Sequence, residues 1–126
     1  QVYGPFRWKS SRVFDNGLKY QVLLDDEADL VPAYTTEGRL ADTEKFTLLR
    51  DDRQMWSPYY LAPVIRADML AAHPDIAGIL NRISASLDTA AMTALNAQVD
   101  VDKREIADVA KAFYRGIQPQ PGGEGR

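Results

Sequence analysis

The sharpest constraint on the fold is a change of character at Arg66. Before it, apolar residues come in short continuous runs, Leu30–Ala33, Phe46–Leu49 and Tyr60–Ile65, bounded by polar or turn-forming residues. Beyond it they recur at helical spacing. Ile76, Ile79, Leu80, Ile83 and Leu87 make one apolar face, Met92, Leu95 and Val99 a second, and Ile106, Val109, Ala110, Phe113 and Tyr114 a third. Runs without alternation suit strands buried on both faces, and strands interleaved with helices imply parallel pairing. The expected class is therefore α/β: short parallel strands with short helices over 1–66, three helices over 67–116, and a disordered tail over 117–126. At 126 residues this is a single domain.

Local signals refine that outline. Val2–Phe6 is broken by Gly4–Pro5 and reads as a strand end or turn, and Arg12–Phe14 as a short strand. Asp15–Asn16–Gly17 is turn chemistry that also caps a helix, and Leu18, Val22 and Leu23 give the stripe of a short helix. Asp25–Asp26–Glu27 stops it, because carboxylates oppose the dipole at a helix C-terminus. Thr35–Thr36–Glu37 suits the start of a one-turn helix through Leu40. Asp88 and Thr89 are caps for the second C-terminal helix, and Asp102–Lys103–Arg104–Glu105 has capping-box spacing before the third. The stretch Pro119–Arg126 is too rich in Pro and Gly to hold a packed conformation.

Aromatic residues mark where such a sheet would meet a ligand. Tyr34 follows the first apolar run, and Tyr59–Tyr60 open the third. Strand ends are where α/β sheets present their sites. Tyrosine faces attract cations through the ring quadrupole, and a quaternary ammonium has no N–H to donate, so it depends on such faces most. The pattern points toward a binder of small organic cations. Any one of these tyrosines taken singly reads more readily as the cap of a core, and Thr35 and Thr36 more readily as helix caps than as hydroxyl donors to a ligand carboxylate, although both roles stay open.

Other chemistries lack their parts. There is no cysteine, which removes disulfides and thiol nucleophiles together, and His73 is the only histidine. It precedes Pro74 and reads as a linker between helices. Asp51–Asp52–Arg53 forms a polar loop, whereas acid/base carboxylates need burial to split their pKa values. Trp56 suits a core or the rim of a cleft. No catalytic motif, phosphate loop or metal-ligand spacing occurs, so neither an enzyme nor a cofactor is expected. A net charge of −3, with basic residues scattered, argues against nucleic acid.

Several segments together carry a resemblance. GLKYQVL (17–23), ADLVPAYTTEGRL (28–40), LLRDD (48–52), SPYYLAPVIRADML (57–70), HPDI (73–76) and LNRISASLDTAAMTALNAQVDV (80–101) stand in an order that resembles the C-terminal half of osmoprotectant receptors. These are the glycine betaine, choline and carnitine substrate-binding proteins of ABC transporters, of the type II periplasmic-binding-protein class. The resemblance implies a partial lobe of a two-lobed receptor that closes on a quaternary ammonium within a tyrosine cage, working outside the membrane with a permease partner. Carried over by position, Tyr34 and Tyr59 match cage tyrosines and Tyr60 is a neighbour able to serve in another register; Thr35 joins them as a candidate ligand contact from its hydroxyl beside Tyr34. Trp56–Ser57 departs from the Phe–Pro more usual there.

Further expectations follow from the resemblance. The chain opens on Gln1 without a signal-peptide pattern, so it reads as processed or as part of something longer. The first half of the receptor would supply the remaining cage walls. A lobe left without it would expose apolar stripes, and a homo-oligomer is the expected escape. The rival reading is a self-associating interaction module with no ligand.

Overall fold

The computed structural model describes residues 2–118. Five α-helices appear in chain order: α1 Lys19–Leu24, α2 Ala67–Ala72, α3 Asp75–Ala85, α4 Thr89–Asp100 and α5 Ile106–Ile117. Single 3-10 turns occupy Asn16–Leu18 and Gly38–Ala41. The expected tail lies, from Pro119 onward, outside the described residues.

The α/β expectation is not met: among the described residues there are no strands. Leu30–Ala33, Phe46–Leu49 and Tyr60–Ile65 run as single segments, and so does Arg12–Phe14. A strand exists only through a ladder partner, and none of these runs is offered one. Their side chains stay largely in solvent, with Leu61 at 79% and Val64 at 96% exposure. An apolar run shows what a segment would bury; it does not supply the neighbour that buries it.

Helices follow their signals more closely. The Asp15 carboxylate accepts from the Gly17 N–H at 2.8 Å and so opens the turn that leads into α1. α1 ends in a double closure. Asp26 takes a left-handed conformation (φ 57°), its N–H donates to the Leu23 carbonyl, and the Glu27 N–H reaches back to Val22. The stop is thus made by backbone bonds as well as by the run of acids. Asp88 caps α4 by accepting from the Ala91 N–H at 2.7 Å.

Two local expectations change. The capping box before α5 does not form. Lys103 turns left-handed (φ 58°) and the Arg104 N–H donates to the Gln98 carbonyl, so this segment folds back on the end of α4. Instead of three C-terminal helices there are four, because α2 is a six-residue helix too short to show periodicity. The His73 N–H closes α2 on the Met69 carbonyl, and Pro74, which disfavours helix in the residue before it, separates α2 from α3.

Tight burial is sparse. Tyr20 of α1, buried like Val22 on the same helix, forms one apolar centre with Phe46, whose ring meets it edge-on at 5.0 Å. Val109 of α5 marks another, facing a shallow depression of about 330 Å³ also lined by Ile83, Met92, Leu95, Val99 and Phe113. Each fully buried aliphatic side chain contributes about 1.5–3 kcal/mol, so specific polar contacts bear much of the local order here. They gather around one turn.

Candidate functional site

That turn is Tyr34–Glu37, the entry to the 3-10 turn at Gly38–Ala41. Its ends close on each other: the Glu37 N–H donates to the Tyr34 carbonyl at 3.0 Å, and the Tyr34 N–H donates to Glu37 Oε1 at 2.8 Å. Helix α1 holds the same carboxylate. Lys19 Nζ lies 2.5 Å from Oε1, and the Tyr20 hydroxyl donates to Oε2 at 2.7 Å. Helix α4 holds the carbonyls between. The Thr93 hydroxyl donates to Thr35 and the Asn96 amide to Thr36, at 3.0 and 2.7 Å. Gly38 follows, pressed against the α4 backbone at Asn96 and Ala97, where no side chain fits.

Charge in this network is settled by the partners. Burial by itself would raise the Glu37 pKa. The Lys19 ammonium, the Tyr34 N–H and the Tyr20 hydroxyl more than offset that, and the carboxyl ends below its ordinary value. The Tyr20 hydroxyl moves the other way, raised by desolvation and then by donating to Glu37. Glu37 is therefore an anion already matched by Lys19, not a free counter-charge for a ligand.

The fixed turn displays the Tyr34 ring, 66% exposed. Tyr59, 84% exposed, arrives from the segment before the third apolar run. The two ring centroids lie 6.5 Å apart with planes at 83°. The rings stand edge-on to one another rather than in a parallel sandwich. Tyr60, 85% exposed, pairs with no aromatic ring among the described residues. Thr35 enters the network through its carbonyl.

Upstream of Tyr59, the Asp51–Arg53 loop organises its own surroundings. Asp51 accepts from the Tyr3 hydroxyl and from the N–H groups of Met55 and Trp56. These bonds, that of Trp56 first, hold its carboxyl below the usual range. Tyr3 also reaches Asp52 and accepts from the Arg53 N–H, while the Arg53 guanidinium bonds the Val2 carbonyl. Desolvation, then its bond to Asp51, pushes the Tyr3 hydroxyl pKa up to about 12. The loop is a solvated turn tied to the N-terminal segment, as its composition suggests. Trp56 is exposed, on neither a core nor a closed cleft. His73 is an exposed residue between α2 and α3. No group of three or more metal-ligating side chains occurs among the described residues.

Glu37 is the residue that sequence reasoning undervalued. Tyr34-Thr-Thr-Glu37 has the spacing at which a carboxylate reaches back to an N–H three residues earlier. That was the signal for a closed turn beneath Tyr34.

Known proteins resemble this chain over most of its length. The pattern of the family described as the substrate binding domain of ABC-type glycine betaine transport system matches residues 1–116. A glycine-betaine-binding protein of Pseudomonas aeruginosa is 39% identical over 116 residues, 91% of this chain and 37% of that protein. The carnitine transport binding protein OpuCC of Listeria monocytogenes is 30% identical over 99 residues, 79% of this chain and 32% of the relative. An ergothioneine transport permease/ergothioneine binding protein, EgtU, of Helicobacter pylori is 26% identical over 112 residues, 89% of this chain and 20% of the relative. The chain thus spans about a third of the length of the first two relatives.

Proposed function

The chain belongs to the family of substrate-binding domains of ABC-type glycine betaine transport systems, and from that premise we propose that it serves a receptor for quaternary-ammonium osmolytes such as glycine betaine or choline. The receptor works outside the cytoplasmic membrane, periplasmic or otherwise extracytoplasmic, and hands its ligand to a membrane permease. This chain is the receptor's C-terminal portion: residues 1–66 bear ligand contacts and 67–116 form the helical support. The family is one of transport domains rather than of enzymes.

The observation that carries the reading is the perpendicular pair Tyr34–Tyr59, displayed on a turn that two helices hold still. A trimethylammonium group fits an aromatic corner because it offers diffuse charge and methyl surface and asks for no hydrogen bond. Two ring faces contribute about 1–4 kcal/mol in total, so this chain alone binds at about millimolar Kd or weaker. Tyr60 and Thr35 take part as flanking contacts.

The test is an NMR titration of the chain, following Tyr34 and Tyr59 ring signals against glycine betaine and against glycine as the analogue lacking methyl groups. Saturable shifts with the betaine alone support the reading. No response, or an equal response to glycine, refutes it. Micromolar affinity from a monomer would mean instead that the whole site lies within this chain.

A second reading is favoured by one feature, the apolar depression over Val109 between α3, α4 and α5. Under it the chain self-associates through these helices as a homo-oligomer. Light scattering across a concentration series decides this, and a constant monomer mass excludes it.

A further inference from the structure

The Tyr34 ring is largely in solvent, yet the backbone beneath it is among the most heavily tied in the chain. Three of the turn's four residues are fixed from a helix. Glu37 is bonded to α1 through Lys19 and Tyr20, while Thr35 and Thr36 are bonded to α4 through Thr93 and Asn96. Tyr34 itself has its N–H fixed by the Glu37 carboxylate and its carbonyl by the Glu37 N–H. Both α1 partners of that carboxylate are buried residues. A carboxylate that only joined α1 to the turn would need Lys19 and Tyr20. The bond to the Tyr34 N–H does something else, because it sets the direction of the Tyr34 Cα–Cβ bond. With that direction fixed, the ring has only its two side-chain torsions left to find Tyr59, 6.5 Å away.

We propose that Glu37 is a positioning residue for Tyr34: its carboxylate, anchored on Lys19 and Tyr20, orients the Tyr34 backbone so that the ring stands perpendicular to Tyr59. The ring arrangement does not depend on function, and only its consequence for binding rests on the receptor reading above. Preorganisation of this kind raises affinity by removing the ordering cost that a ligand would otherwise meet.

Three variants separate positioning from simple support. Glu37→Gln keeps a side-chain oxygen for the Tyr34 N–H and loses the ion pair. Glu37→Ala removes both. Lys19→Met removes the ion pair alone. The primary readout is the nuclear Overhauser contact between the Tyr34 and Tyr59 rings, with backbone amide shifts of α1 and α4 as the folding control. The contact is expected to persist in the wild type, Glu37→Gln and Lys19→Met, and to vanish in Glu37→Ala while the α4 amides keep their shifts. Survival of the contact in Glu37→Ala overturns the proposal. So does its loss in Glu37→Ala and Lys19→Met alike together with the α4 shifts, since that marks a purely structural role. Titration of the same samples with glycine betaine separates the two readings. A wild type whose rings touch but do not respond ends the receptor reading and leaves positioning standing. A response in the wild type and Glu37→Gln that is lost in Glu37→Ala supports both.

Discussion

A β-carbon placed on Gly38 would lie 2.6 Å from the carbonyl carbon of Asn96, a separation that real side chains do not reach. The neighbouring atoms are also backbone, the Asn96 carbonyl oxygen at 2.7 Å and the Ala97 nitrogen at 2.6 Å, so no side chain can swing aside. Absence of a β-carbon lets the turn seat directly on α4, and this seat brings Thr35 and Thr36 within reach of Thr93 and Asn96. Gly38→Ala is therefore expected to push the turn off the helix, at an overpacking cost of about 1–3 kcal/mol. Thermal melting followed by circular dichroism should show a lowered midpoint, and faster exchange at the Glu37 amide should show where the damage lies. An unchanged midpoint would mean that the turn and α4 can separate freely.

Glu37 gives the same region a pH dependence with a definite sign. Its carboxyl is depressed in the folded chain below the ordinary value of 4.5. A depressed acid contributes stability that is fully present above the unfolded value and lost as pH falls through the folded one. The turn is expected to hold at neutral pH and to loosen only as pH falls below the ordinary carboxyl range, with the Tyr34 amide and ring signals moving together. Glu37→Gln should remove that step. If the transition occurs unchanged in the Gln variant, another carboxylate governs it.

Tyr3 ties the loop leading to Tyr59. Its hydroxyl donates to Asp51 and Asp52 and accepts from the Arg53 N–H. Tyr3→Phe keeps the ring under the Arg53 guanidinium, 5.5 Å from its centroid, and deletes the hydroxyl bonds. A hydrogen bond to a charged group is stronger than one between neutral groups, though the open water around this loop weakens it. The expected result is several-fold faster exchange at the Met55 and Trp56 amides with α3–α5 untouched. Equal protection in the two chains would show that Asp51 organises the loop without help.

How much of this was legible depends on whether a feature is local. α3 and α4 announce themselves because a 3.6-residue period and an Asp cap are properties of neighbouring residues. The apolar run Tyr60–Ile65 suits a strand, but pairing belongs to two segments, and a run cannot say whether the second is present. The capping box at Asp102–Glu105 failed for a related reason: the Gln98 carbonyl at the end of α4 took the Arg104 N–H, bending the segment into another turn. Tyr34 and Tyr59 were singled out together from strand ends that do not form and from the resemblance, and their rings do meet. Glu37 was undervalued because its partners on α1 are distant in sequence, and only its spacing to Tyr34 was visible.

Asp26 offers a stabilising change. It holds φ 57° at the close of α1, a region that costs a residue with a β-carbon and suits glycine. The bonds that define this closure, from the N–H groups of Asp26 and Glu27, are backbone bonds that glycine keeps. Asp26→Gly also removes an acid from the negative end of the helix dipole. A gain of about 0.5–1 kcal/mol is expected after the greater freedom of glycine in the unfolded chain is set against it. It should appear as a raised melting midpoint, and a lowered one would assign the Asp26 carboxylate a holding role.

The receptor reading makes its most selective demand on two adjacent residues. Tyr59 stands 6.5 Å from Tyr34, whereas its neighbour Tyr60 is as exposed and meets no ring. If the aromatic corner receives the cation, the two positions must respond unequally although they are chemically identical and consecutive. Tyr59→Leu keeps apolar bulk and deletes one ring face, worth about 0.5–2 kcal/mol, which is roughly a two- to thirtyfold weaker affinity. Tyr59→Phe keeps the face and should retain most of the binding. Tyr60→Leu should leave the betaine titration within about twofold of the parent chain, since Tyr60 faces no second ring among the described residues. Glycine betaine shifts of the Tyr34 ring measured across these three variants provide the check. Equal weakening at 59 and 60 would mean that the chain offers a diffuse aromatic surface, and a loss confined to Tyr60→Leu would move the site into the other register.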